Sequence, residues 1–180
     1  MSKELQAIAE GLEAGMKKLQ TNMRGELKAQ GHYNTGKLHD SIVYKIETIG
    51  DKVTATMESE DYGLVMEFGV TASNIPYTRG SGAPRSKYIQ GLISFFESKG
   101  LGESEAKGAA FATANKHKQE GLPTRASFAF STNGRRTGFA STTLEKDIDE
   151  VARMIEEVTG MRIQLNLSPS VNMEHLVIYT

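Results

Sequence analysis

The sequence predicts a single α+β domain spanning 1–180, an antiparallel sheet of about four strands with helices packed on one face. Three observations predict it. An apolar stripe at helical spacing runs through the N-terminal segment, an alternating pattern around a tight turn follows, and alternation returns after Gly160. Between them, 70–121 reads as a loop plus a helical-hairpin insertion, and 161–180 reads as a C-terminal β arm.

Leu5, Ile8, Leu12, Met16, Leu19, Met23 and Leu27 recur at steps of three and four, which predicts a long helix from Ser2 to Gln30. Ser2 can cap its start and Gly31 its end. Gly11, Gly15 and Gly25 lie inside it, each costing about 1 kcal/mol against alanine. Such a helix needs a partner surface, either the sheet or another subunit. Gly31 to Leu38 nearly matches a phosphate-cradling loop, but Leu38 supplies no hydroxyl and a helix precedes it, so it reads as a polar turn.

Ser41 to Ile49 alternates, with Ile42, Tyr44 and Ile46 on one face, and Gly50-Asp51 supplies a two-residue turn. The return strand turns Val53, Ala55 and Met57 inward. Next, Asp61 to Gly69 concentrates apolar and aromatic side chains, with Leu64, Val65 and Phe68 at helical spacing. This reads as a short, mostly buried helix, in which Glu67 requires a partner because an unpaired buried charge is costly. Val70 to Ser86 loses all period and reads as an exposed, mobile loop carrying Arg79 and Arg85.

Tyr88, Ile89, Leu92, Ile93, Phe95 and Phe96 predict one helix of the insertion. Ala106, Ala109, Ala110, Phe111 and Ala114 predict a second, from Glu103 to Gln119, whose small residues permit close approach. In Thr124 to Gly138, Phe128 and Phe130 accompany Arg125, Arg135 and Arg136. The two rings read as anchors to the core, while aromatics among basic residues also admit single-stranded nucleic acid. Thr142-Thr143-Leu144-Glu145 has the form of a capping box before a helix with the stripe Leu144, Ile148, Val151, Ile155 and Val158. Met161, Ile163, Leu165 and Leu167 alternate as one further strand, and Leu176 to Tyr179 makes another.

A chain of 180 residues should bury roughly 70% of its unfolded surface. Its 21 basic and 22 acidic side chains leave a formal charge of -1, with no global attraction to nucleic acid or an anionic membrane. No cysteine is present, which excludes disulfides, thiolate nucleophiles and cysteine-bound zinc. Met1-Ser2-Lys3-Glu4 reads as a charged start rather than a signal peptide, and no apolar run has membrane-spanning length. His32, His39, His117 and His175 are scattered, and no zinc, calcium or nucleophile-elbow motif is present. The expectation is a protein without enzymatic activity, cofactor or metal.

Three segments, in order, carry a resemblance. Thr35-Gly36-Lys37-Leu38-His39-Asp40-Ser41-Ile42 leads into the first strand. Asp61-Tyr62-Gly63-Leu64-Val65-Met66-Glu67-Phe68-Gly69 follows the hairpin. Phe111 to Lys116 and Gly121 to Phe128 precede the last helix. Together, over 35–158, they resemble the tail-completion and head–tail joining proteins of long-tailed bacteriophages. Tyr62, Glu67, Phe68 and Gly69 carry the family motif, although the spacing between Pro123 and Phe128 departs from the family's tighter pattern and the arm extends past its usual end.

The resemblance implies a virion protein assembled in the host cytoplasm. It would form a ring, expected to be a hexamer, in the neck or at the head-proximal end of the tail. Its expected partners are itself, neighbouring neck, connector and tail-tube proteins, and phage DNA passing through the lumen without sequence-specific binding. No membrane partner is expected. Arg79, Arg85, Phe128, Phe130, Arg135 and Arg136 are the expected ring or lumen contacts. A tail terminator and a single-stranded nucleic-acid module are the alternatives.

Overall fold

A helix whose stripe contains glycines can approach another helix very closely, and α1 (Lys3–Ala29) does so. In the computed structural model, which describes residues 3–80 and 86–160, α1 lies antiparallel to α6 (Phe139–Thr159). Gly11 and Gly15 are buried in the contact. A methyl group on Gly15 would stand 2.6 Å from Cγ1 of Val151, and one on Gly11 would stand 3.1 Å from Cα of Ile155. Around this contact Leu19, Val151 and Ile155 form one apolar cluster. Lys18 pairs with Glu150 at 2.7 Å, and the Asn22 amide donates to Asp147 at 2.6 Å. The helix–helix contact therefore accounts for two of the three glycines that α1 carries; Gly25 meets nothing within 4 Å.

The chain divides into two compact units. One holds the chain up to Phe68 and again from Ala129, and the other holds Gly69–Phe128. In the first, Gly31 to Gly36 forms the expected turn, and a short helix α2 (Lys37–Ser41) takes its last two expected residues and the start of the expected strand. The side chains of α1 fix this segment: Arg24 donates to the carbonyls of His39 and Ile42, and Gln20 donates to that of Ile42. The hairpin forms as its alternation predicts. β1 (Val43–Ile49) and β2 (Lys52–Glu58) pair antiparallel, Tyr44 opposite Met57 and Ile46 opposite Ala55.

Among the described residues the sheet has only these two strands, and those residues are mostly helical, at 65%. The expected α+β fold with about four strands is therefore corrected. The physical reason lies in the core, which is built helix on helix, with the hairpin resting on α1. Strand period identifies a strand but not the strand it pairs with. The two strands expected within 161–180 lie outside the described residues.

The start of the last helix is also corrected. α6 begins at Phe139, after Gly138, rather than at the Thr142 capping box. Thr142 and Thr143 are buried one turn inside the helix, where the Thr143 hydroxyl donates back to the Phe139 carbonyl at 2.8 Å.

In the second unit Val70 and Leu122 exchange backbone hydrogen bonds of 2.9 and 2.7 Å, closing the insertion at its base. Gly69 and Gly121 flank this pair at φ of 71° and 81°, and a side chain at Gly69 would collide with the Leu122 carbonyl. Only glycine accepts that backbone at that distance. The expected exposed loop after Gly69 is partly internal: a 3-10 turn at Ala72–Asn74 is followed by buried Ile75 and Tyr77. Helices α4 (Lys87–Ser98) and α5 (Glu103–Glu120) form the hairpin the sequence predicts, with Ile89 and Ile93 buried on one and Ala106, Ala110 and Ala114 on the other.

Candidate functional site

The first four N–H groups of a helix lack partners within it. In α6 those of Ala140 and Ser141 are satisfied by one carboxylate, that of Glu67, at 2.8 and 3.1 Å. The Glu67 carbonyl also accepts the Gly138 N–H at 2.9 Å. Glu67 sits near the end of α3 (Tyr62–Phe68), where Gly63 and Met66 are buried. Met66 packs with Leu27, Leu38, Ile42 and Phe139 in the main core cluster, so the core itself aims the carboxylate at the helix end. Negative charge at a helix N-terminus is favourable, so this arrangement answers the sequence's demand for a partner.

The same core brings the first two resemblance segments together. The Ser41 hydroxyl accepts the Glu60 N–H at 3.0 Å, and Leu38 lies against Gly63. The segment from Ser131 to Gly138 then clasps the C-terminal end of α1. The Ala29 carbonyl, an orphan of the helix end, accepts from Thr132 N–H at 2.8 Å, and Arg136 Nη1 donates to the Gln30 carbonyl. Gln30 is wholly buried, and its amide donates to Glu26 and to the Thr137 carbonyl at 3.0 Å each. Asn133 donates to Glu26 at 2.7 Å. Burial opposes ionisation of Glu26, but the hydrogen bonds from Gln30 and Asn133, with Lys146 nearby, leave its pKa below the ordinary carboxylate value. The His32 Nε2–H donates to the Arg136 carbonyl at 3.0 Å, and burial holds its pKa below the ordinary imidazole value.

The expected contact residues therefore separate. Arg135 spends Nη1 on the Thr142 hydroxyl at 2.8 Å, and Arg136 is half-buried against α1. Phe128 and Phe130 are not core anchors: they are 44% and 73% exposed. Arg79 is exposed, and Arg85 lies outside the described residues. Within the family motif, Tyr62 and Phe68 are 58% and 60% exposed while Glu67 between them is engaged. Gly69 stands at the base of the insertion. Sequence reasoning missed Gln30 and Asn133. Only the Asn133-Gly134 turn signalled the latter, and nothing in the helical period distinguished Gln30 from a solvated residue.

Among the described residues no three His, Asp or Glu side chains are grouped to hold a metal ion, and no helix is long and apolar enough to cross a membrane. What the first unit offers is a cross-tied helical body with exposed aromatic rings at Tyr62, Phe68 and Phe130. Comparison with protein families, curated proteins and solved structures gave no match.

Proposed function

We propose that the chain is a structural virion protein that forms a ring, of hexameric type, in the neck or at the head-proximal end of a phage tail. There it acts in tail completion and head–tail joining, touching connector and tail-tube proteins and passing DNA without reading its sequence. The observation that carries this reading is the division of labour within Tyr62–Phe68. Its glutamate and methionine are committed to the fold, while Phe68 projects into solvent, Tyr62 exposes its ring but has its hydroxyl sheltered enough that burial raises its pKa, and Phe130 is exposed just before the clasping segment. Large exposed aromatics on a tied-down surface suit contact with another protein.

The test uses the phage that encodes the chain, with its coding sequence deleted. Purified protein added to the resulting separate heads and tails is expected to join them. Phe68→Ser combined with Phe130→Ser is expected to unfold at an unchanged temperature yet join them at least tenfold less well. Full joining by the double variant contradicts the assignment of this surface. A tail terminator shares this surface logic and is separated from the leading reading by position in the particle. A single-stranded nucleic-acid module using Arg125, Arg135, Arg136 and the nearby Phe residues is the alternative of a different class, and oligonucleotide binding that falls steeply with salt would favour it.

A further inference from the structure

The clasp at the end of α1 contains the chain's single Asn-Gly pair, Asn133-Gly134. In such a pair the asparagine amide is open to attack by the backbone nitrogen that follows it, because glycine has no side chain to crowd the approach. Both residues are exposed, Gly134 lies at φ of 74°, and a methyl group on it would meet nothing within 4 Å. Water and room for the reaction are therefore both present.

The clasp nevertheless holds the amide in place. Asn133 Oδ1 accepts from the Ser131 hydroxyl at 2.9 Å and from the Arg135 N–H at 3.1 Å, and its Nδ2 donates to Glu26 Oε1 at 2.7 Å. The bond from Arg135 turns the oxygen, rather than the carbonyl carbon, toward the backbone that follows. Attack on that carbon requires these bonds to break, so the reaction waits on local opening of the clasp.

The same position makes the product costly to the fold. The Glu26 side chain is only 10% exposed, so solvent screens it little. A carboxylate at residue 133 would face the Glu26 carboxylate where a donor now stands, close to the negative end of α1. Lys146 lies 3.6 Å from Glu26 and can balance one carboxylate but not two. An isoaspartate would also add a carbon to the main chain inside the turn that Ser131 and Arg135 close.

We propose that Asn133 is a site of spontaneous deamidation that the closed clasp holds back and that, once converted, keeps the clasp from closing again. The Gly134 nitrogen bonds to Cγ of Asn133, its proton passes to the departing amide nitrogen, and the Cγ–Nδ2 bond breaks to release ammonia. Water then opens the cyclic imide at either carbonyl and leaves aspartate or isoaspartate. The conversion is a one-way record that the end of α1 has come loose, and it is independent of the ring reading.

The test keeps the full-length protein at mildly alkaline pH, either folded or in urea. Peptide mapping follows the amide-to-acid mass change at residue 133 and separates the two acid forms. The folded chain is expected to convert about tenfold more slowly than the unfolded one, or slower still. In a second measurement, Asn133→Asp is expected to lower the urea midpoint. Adding Glu26→Gln is expected to recover most of that loss, because the glutamine amide then donates to the new carboxylate. Equal conversion rates in the two states overturn the proposal. So does an Asn133→Asp midpoint that stays unchanged, or a loss that Glu26→Gln leaves in place.

Discussion

Glu67 sits in an otherwise apolar segment because its carboxylate supplies the acceptors that the first turn of α6 lacks. Glu67→Ala leaves two N–H groups without that partner and is expected to cost about 1–2 kcal/mol, read as a lower urea midpoint. An unchanged midpoint would show that the cap is idle. The need for a partner was legible in the sequence, since a charge among buried apolar residues demands one. Its identity was not, because the partner lies 73 positions along the chain and only the fold brings it close. His32 supports a second prediction. Burial is the largest cause of its lowered pKa, so the unfolded chain binds its proton more readily than the folded one does. Stability is therefore full above the ordinary value of 6.5 and declines as pH falls from there toward the folded pKa. His117, half-buried beside the Tyr88 hydroxyl, acts in the same direction. The urea midpoint should drop between pH 7.5 and 5.5, and His32→Gln should flatten that slope; a midpoint that rises on acidification contradicts the assignment.

At the scale of elements, the α1–α6 contact decides which glycines matter. Gly25 is open and lies in a helix interior, so Gly25→Ala should stabilise by about 1 kcal/mol. Gly15 faces the stiff branched side chain of Val151, so Gly15→Leu should destabilise by about 1–3 kcal/mol through overpacking. Thermal melts of the two variants should move in opposite directions; parallel shifts would mean that the helices do not meet at Gly15. Helix period found α1, α4, α5 and α6 because each buries one face along several turns. The hairpin was readable for a similar reason, its turn and alternation being local. The beginning of α6 was misread because Thr142-Thr143-Leu144-Glu145 has the composition of a cap, while the true cap is tertiary.

At the scale of the molecule, sequence reading failed where it had to join distant strands. Alternation after Gly160 suggested strands completing the hairpin's sheet, whereas the described fold holds the hairpin against α1 and leaves its sheet two-stranded. Among the described residues the hairpin's apolar face is half-covered, and Tyr62, Phe68 and Phe130 are exposed. The chain's expected contacts were only partly legible. Phe128 and Phe130 read as core anchors yet stand exposed, and Arg135 and Arg136 give donors to Thr142 and to the Gln30 carbonyl, which no local pattern announces. In the proposed function, the exposed aromatic surface assembles copies of the chain into a ring on a phage tail. Sedimentation velocity of the purified protein, alone and mixed with isolated tails, tests it most directly. A discrete multiple of 19.7 kDa, formed in solution or on the tail end, is the predicted result. A chain that sediments as a single copy at every concentration and leaves tails unbound would contradict it.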